Sequence, residues 1–291
     1  MTIPTLEHLR IRGAQGVELA ADVGGPIGAP TILLSHGGAQ TRHSWDAAMP
    51  RLIAAGYRVI NVDTRGHGDS DWAPDGDYST PVQAKDLMAV LGVAGERVAL
   101  VGASMGGLAS FYTVGRFRPS SVRALVLVDI VLKPARDGVK RIRKFMRSFS
   151  GGFLSIDEAA DAIAAYHPDR PRPADPAGLM KNLRLREDGR LYWHWDPQLL
   201  VSSAETDMQR SNEWLPGVAR HVTIPTLLIR GARSDVVDDA GVADMLALVP
   251  HTEVHDVARA GHTVTADNND IFAEGLVYFL SRHLPADRAA E

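Results

Sequence analysis

The chain contains no cysteine among its 291 residues, which excludes a disulfide framework, a thiolate metal site and a cysteine nucleophile. An excess of one charge is also missing. The formal net charge of -4 gives no long-range attraction for nucleic acid or an anionic membrane. No apolar run approaches the roughly 20 residues that cross a bilayer, and Met1-Thr-Ile-Pro-Thr5 lacks a basic start followed by an apolar stretch and a small-residue cleavage site. A cytoplasmic protein acting on a small molecule is therefore expected, with no nucleic-acid or membrane partner. No His, Asp or Glu spacing suggests a metal site, so neither a metal nor an organic cofactor is expected. Aromatics make up only 6% of the chain, so a local concentration of them marks a segment with a packing or binding task. What is plentiful is apolar content, 45%, enough for one α/β domain carrying an insertion.

The first half alternates strand and helix patterns. Leu6–Arg12 and Val17–Val23 read as an antiparallel hairpin around Gly13 and Gly16. Thr31–Ser35, Tyr57–Asp63, Arg97–Val101 and Val122–Asp129 are short apolar runs of the buried parallel type. Between them, Ser44–Ala55, Thr80–Leu91 and the segment from Met105 to Phe117 carry helical patterns. Such alternation implies a parallel sheet with right-handed crossovers and helices on both faces. The rhythm breaks over 132–217, where Gly138–Phe149 and Ile156–Tyr166 read as helices and Pro168, Pro171, Pro173 and Pro176 interrupt the chain. An inserted, mainly helical lid is expected there, dividing a core formed by 1–131 and 218–291. After it Ile224–Gly231 resumes the buried strands, followed by a helix over Asp239–Leu248, a strand near Val254–Val257 and a last helix over Asp270–Arg282.

The chemistry centres on Gly102-Ala-Ser104-Met-Gly106-Gly107, a serine between a strand and a helix. A side chain pushed outward on so sharp a turn needs small neighbours, and the helix beginning at Met105 presents unpaired N–H groups to whatever binds above it. A serine hydroxyl also needs a base, itself oriented by a third group. Functional loops of parallel sheets lie at strand carboxyl ends. Two candidates stand there: Asp235 in Gly231-Ala-Arg-Ser-Asp235, and His262 after Ala260-Gly261.

With His36-Gly37-Gly38 after the third strand and Asp63-Thr-Arg-Gly-His67-Gly-Asp-Ser70 after the fourth, the sequence resembles the α/β-hydrolase fold superfamily, and specifically a capped, esterase-like serine hydrolase. The resemblance covers nearly the whole chain and implies a mostly parallel eight-stranded sheet. It further implies that Ser104 attacks an acyl carbonyl, His262 takes its proton and Asp235 orients the imidazole, in the chain order such enzymes use. The N–H groups of Gly38 and Met105 would form the oxyanion hole, a device that contributes about 10²–10³ in rate per donor. The substrate implied is a carboxylic ester of a small to medium, apolar molecule. The same parts serve lactone, thioester or carbon–carbon hydrolysis and perhydrolysis, and a ligand-binding protein without activity would keep the same fold. Ser104 stands where dehalogenases and epoxide hydrolases need an aspartate, which argues against both.

Asp129, ending the strand before the insertion, is the rival acid; the loop match favours Asp235. His36 and His67 read as residues that shape their glycine-rich loops rather than as bases. The aromatic concentration falls in the lid, where Trp193, Trp195 and Trp214 are candidates to roof an apolar pocket or to form the lid's own core. The basic segment Lys133–Arg147 reads as a solvated helix face, with an acidic substrate as the alternative.

Overall fold

The computed structural model describes residues 6–168, 172–201, 204–258, 260–262 and 269–286; Met1–Thr5 and Pro171 lie outside them. Strands β1 (Glu7–Arg12), β2 (Glu18–Gly24), β3 (Thr31–Ser35), β4 (Arg58–Val62), β5 (Val98–Ala103) and β6 (Val122–Val128) come before the insert, and β9 (Thr226–Gly231) and β10 (Thr252–Val257) after it. They form one eight-stranded sheet in the order β1-β2-β4-β3-β5-β6-β9-β10. The β1–β2 and β2–β4 pairs are antiparallel and the remaining pairs parallel. The mostly parallel sheet expected from the alternating pattern is thus present.

Side chains along a strand point alternately to its two faces, and each face has its own apolar layer. Val98 and Leu100 of β5 pack with helices α2 (Thr80–Ala94), α3 (Ser104–Tyr112) and α7 (Asp239–Leu248). Ala99 and Val101 pack with α1 (Met49–Ala54) and α8 (Asn269–His283) on the other face. Burial on both faces explains why these strands read as unbroken apolar runs. The helix expected over Ser44–Ala55 is divided into a 3-10 turn at Arg42–Trp45 and α1. Pro50 lies in the first turn of α1, where its fixed φ and missing N–H favour a helix start.

The insert holds α4 (Arg136–Ser148), α5 (Ile156–Tyr166), the antiparallel pair β7 (Leu183–Leu185) and β8 (Leu191–Trp193), and α6 (Ala204–Ala219). Phe153, Ala159, Leu183 and Leu191 give it a small apolar centre of its own. The hairpin departs from the mainly helical expectation: its strands are too short to show a period, although the Asp188-Gly189 turn between them is visible in the sequence. Helix α6 runs through Pro216 and Gly217, past the expected boundary, because Leu215, Val218 and Ala219 pack into the main core. Among the described residues no helix is long and apolar enough to cross a membrane.

Candidate active site

Ser104 occupies a strained turn directly after β5, with φ of 45°, a left-handed conformation that costs a side-chain-bearing residue energy and persists only under constraint. The glycines around it supply that constraint. A Cβ on Gly102 would collide with the Gly106 carbonyl, one on Gly106 would come within 2.5 Å of Ser35 Oγ, and one on Gly107 within 2.5 Å of Ile130 Cγ2. Strand and helix therefore approach at backbone distance, and the serine is held at the apex.

The loop after β3 lies against this elbow: a Cβ on Gly37 would stand 3.3 Å from Ser104 Cβ. Its amides are fixed on both sides of Gly38. Gly37 N–H donates to Gln40 Oε1 at 3.0 Å and Ala39 N–H to His67 Nε2 at 3.2 Å. Gly38, Met105, Ser104 and His262 all line one cavity. The loop carrying His67 is secured in turn by ion pairs of two buried arginines. Arg42 donates to Asp63, to Asp22 Oδ2 at 2.9 Å and to Asp69 Oδ2 at 2.8 Å, while Arg65 grips Asp86 with two bonds of 2.5 and 2.8 Å. Burial opposes the Arg42 charge, but Asp63, Asp69 and Asp22 outweigh it and raise its pKa.

His36 and His67 are both fully buried and meet edge to face at 5.1 Å. Burial lowers the pKa of His36 despite Asp63 nearby, and burial together with His36 drives His67 down to about 3. Each ring accepts a loop amide at Nε2, Thr64 N–H for His36 and Ala39 N–H for His67, in keeping with the loop-shaping role read from sequence.

The acid is where the structure departs from the favoured expectation. His262 Nδ1 donates to Asp129 Oδ2 at 2.6 Å. Asp129 is 1% exposed, and its carboxylate also accepts Gly231 N–H at 2.8 Å and the Ser234 hydroxyl at 2.6 Å. Asp235 is not brought to His262; its carboxylate meets Arg141 Nε of α4 at 2.9 Å. The turn after β9 decides this. Ser234 Oγ accepts from Val236 and Val237 N–H at 3.2 and 3.1 Å while donating to Asp129, so the side chain facing inward belongs to Ser234 and that of Asp235 faces the insert. Gly231 makes the meeting possible, since a Cβ there would strike the carbonyls of Ala260 and Gly261 just before His262. Ser234 is the partner missed in the sequence, although it lies inside the segment singled out for its aspartate.

The cavity encloses about 2200 Å³, above the roughly 300–1,000 Å³ of ordinary ligand pockets. Its floor is the sheet rim with Ser104 and His262, and its walls combine Ile130, Leu132, Val139, Ile142 and Met146 with the charged Lys133, Arg136, Arg143 and Asp244. Of the three tryptophans read as candidates for a pocket roof or for the lid's own core, Trp193 and Trp214 line the cavity. Trp195 is buried and instead pairs through its main chain with His67; the irregular residue His194 ends the strand between Trp193 and Trp195, so the two indoles do not share an environment. Trp193 also meets Phe153 edge to face at 5.1 Å, so it serves the insert's core as well. Among the described residues no group of His, Asp or Glu could hold a metal ion.

Comparison with known proteins places this geometry in context. The family profile described as alpha/beta hydrolase fold matches residues 30–268. An esterase of Mycobacterium tuberculosis is 29% identical over 250 residues, covering 82% of this chain and 78% of its own. A 3-hydroxybutyrate-oligomer hydrolase of Cupriavidus necator is 29% identical over 262 residues, 83% of this chain and 85% of its own. The crystal structure of E-2-(acetamidomethylene)succinate hydrolase superposes with a TM-score of 0.83 at 23% identity, over 95% of this chain and all of that one, a likeness of fold.

Proposed function

The chain belongs to the α/β hydrolase fold family, and on that premise we propose that it hydrolyses carboxylic esters of medium-sized apolar molecules through an acyl-enzyme on Ser104. The single observation that carries this reading is the 2.6 Å bond from His262 to the buried Asp129 at the rim of the cavity that Ser104 also lines. A carboxylate accepts only, so it fixes the proton on Nδ1 and leaves Nε2 as the base. Ser104 Oγ attacks the ester carbonyl and Nε2 takes its proton; the cation formed is stabilised by Asp129, which stays ionised. The N–H groups of Met105 and Gly38 receive the oxyanion. His262 then protonates the departing alcohol, and a water activated by the same imidazole releases the acid. The segment between β6 and β9 acts as a cap, and Ile130, Leu132, Val139, Ile142 and Met146 along the cavity give an acyl or alcohol group an apolar surface to pack on. The esterase among the relatives supports the bond type.

The experiment is a panel of p-nitrophenyl esters of increasing acyl length, run beside thioesters and lactones, with fluorophosphonate labelling located by mass spectrometry. Ester turnover that rises from acetyl toward medium chains, with the adduct on Ser104, is expected. Folded protein with no adduct on Ser104 would refute the acyl-enzyme.

A further inference from the structure

The loop after β3 and the insert meet at His67. Its Nδ1 lies 3.0 Å from the Arg65 carbonyl oxygen and 3.2 Å from Thr64 Oγ1. A carbonyl cannot donate, so Nδ1 carries the proton and Nε2 offers a lone pair, which accepts the Ala39 N–H at 3.2 Å. Ala39 directly follows Gly38 and sits at φ of 63°, a conformation that needs an external hold in a residue other than glycine. The main chain of His67 is occupied on the other side. It bridges to Trp195, flanked by Gly68 N–H to the His194 carbonyl at 3.0 Å and Asp196 N–H to the Gly66 carbonyl at 2.9 Å. The ring thus holds the loop after β3 while the backbone holds the insert.

We propose that His67 is a positioning residue that transmits the seating of the insert to the oxyanion donor at Gly38. The proposal rests on the acyl-transfer reading above and adds to it a mechanical link between cap and oxyanion hole. The link requires a neutral ring, because protonation would turn Nε2 into a donor facing the Ala39 N–H. Full burial of the imidazole keeps it neutral. His36 braces the neighbouring turn in the same manner, with Nδ1 donating to the Gly37 carbonyl at 2.8 Å and Nε2 accepting Thr64 N–H at 3.0 Å.

Two measurements test it. In ¹⁵N-labelled wild-type protein, the His67 ring is expected in the neutral Nδ1–H form from pH 6 to 8, with scalar coupling from Nε2 across the hydrogen bond to the Ala39 amide; the Nε2–H form would overturn the proposal whether or not any variant folds. In kinetics with p-nitrophenyl butyrate, His67→Leu is expected to lower kcat about 10–100-fold with KM little changed, and to weaken binding of an alkylboronic acid, which mimics the tetrahedral state, by a similar factor. His67→Gln, which keeps an acceptor, is expected to recover most of both. A folded His67→Leu with wild-type kcat, or a loss confined to KM, would overturn the proposal. The link to the insert is read from a double-mutant cycle with Arg184→Ala, since the Arg184 guanidinium donates to the Gly68 carbonyl. Effects on kcat that depart from simple multiplication by about three-fold or more support transmission, and independent effects contradict it. Fluorophosphonate labelling of wild-type Ser104 separates the two levels: with labelling intact, a failed test removes only the role of His67.

Discussion

Asp129 and Asp235 stand at the carboxyl ends of adjacent strands, β6 and β9, and their surroundings could hardly differ more. Asp129 is enclosed and accepts from a backbone amide, a serine hydroxyl and an imidazole. Asp235 has a side chain 32% exposed and faces Arg141, itself 53% exposed, across the junction with the insert. The first arrangement fixes a carboxylate before any reaction begins, which is what catalysis by preorganised charge requires. The second is a surface ion pair of the kind that contributes roughly 0–1 kcal/mol and weakens in salt. A carboxylate at the right strand end is therefore not enough; the turn that carries it decides whether it meets the imidazole or Arg141 of α4.

The comparison can be broken at several points. Asp129→Ala is expected to lower kcat for a p-nitrophenyl ester about 10³–10⁴-fold, as removal of a triad acid does elsewhere. Gly231→Ala should come next, because its methyl would collide with the carbonyls of Ala260 and Gly261; a lower melting temperature together with reduced kcat is expected. Ser234→Ala removes one of the three donors to Asp129, and a loss on the order of 10-fold in kcat with KM unchanged would match the energy of one hydrogen bond to a charged group. Smallest of all, Asp235→Ala and Arg141→Ala should each change stability by less than about 1 kcal/mol, measured by urea denaturation, and leave kcat nearly untouched.

Much of this was legible in the sequence, for physical reasons. Strands β3, β5, β6 and β9 are buried on both faces, and their apolar runs, bounded by glycine or polar turns, announce a parallel sheet. The elbow was readable because backbone contact leaves no room for side chains at Gly102, Gly106 and Gly107. The choice of acid was not readable, because it depends on which of two consecutive side chains, Ser234 or Asp235, a turn directs inward. Nor was the hairpin β7–β8, whose three-residue strands carry no period. Pocket roof and lid core were both open for Trp195 from its aromatic neighbours; its indole is buried away from the cavity while its main chain pairs with His67.

The buried imidazoles also leave a mark on acid stability. His67 has its pKa lowered from 6.5 to about 3 in the folded protein, so below pH 6.5 the unfolded chain binds a proton that the native one refuses. Its contribution is fully present above pH 6.5 and is lost as the pH falls toward 3, with a slope of up to about 1.4 kcal/mol per pH unit for one such group. Denaturation free energies between pH 6.5 and 5, where carboxylates remain ionised, should fall less steeply in His67→Gln than in the wild type; equal slopes would deny the histidine its part.

The most direct test of the Ser104–His262–Asp129 assignment is the second-order rate at which a fluorophosphonate modifies Ser104 in folded Asp129→Ala and Asp235→Ala proteins, followed by intact mass. The assignment predicts a rate depressed about 10³-fold or more in Asp129→Ala and near wild type in Asp235→Ala. The opposite order, with Asp235→Ala the slow variant, would contradict it.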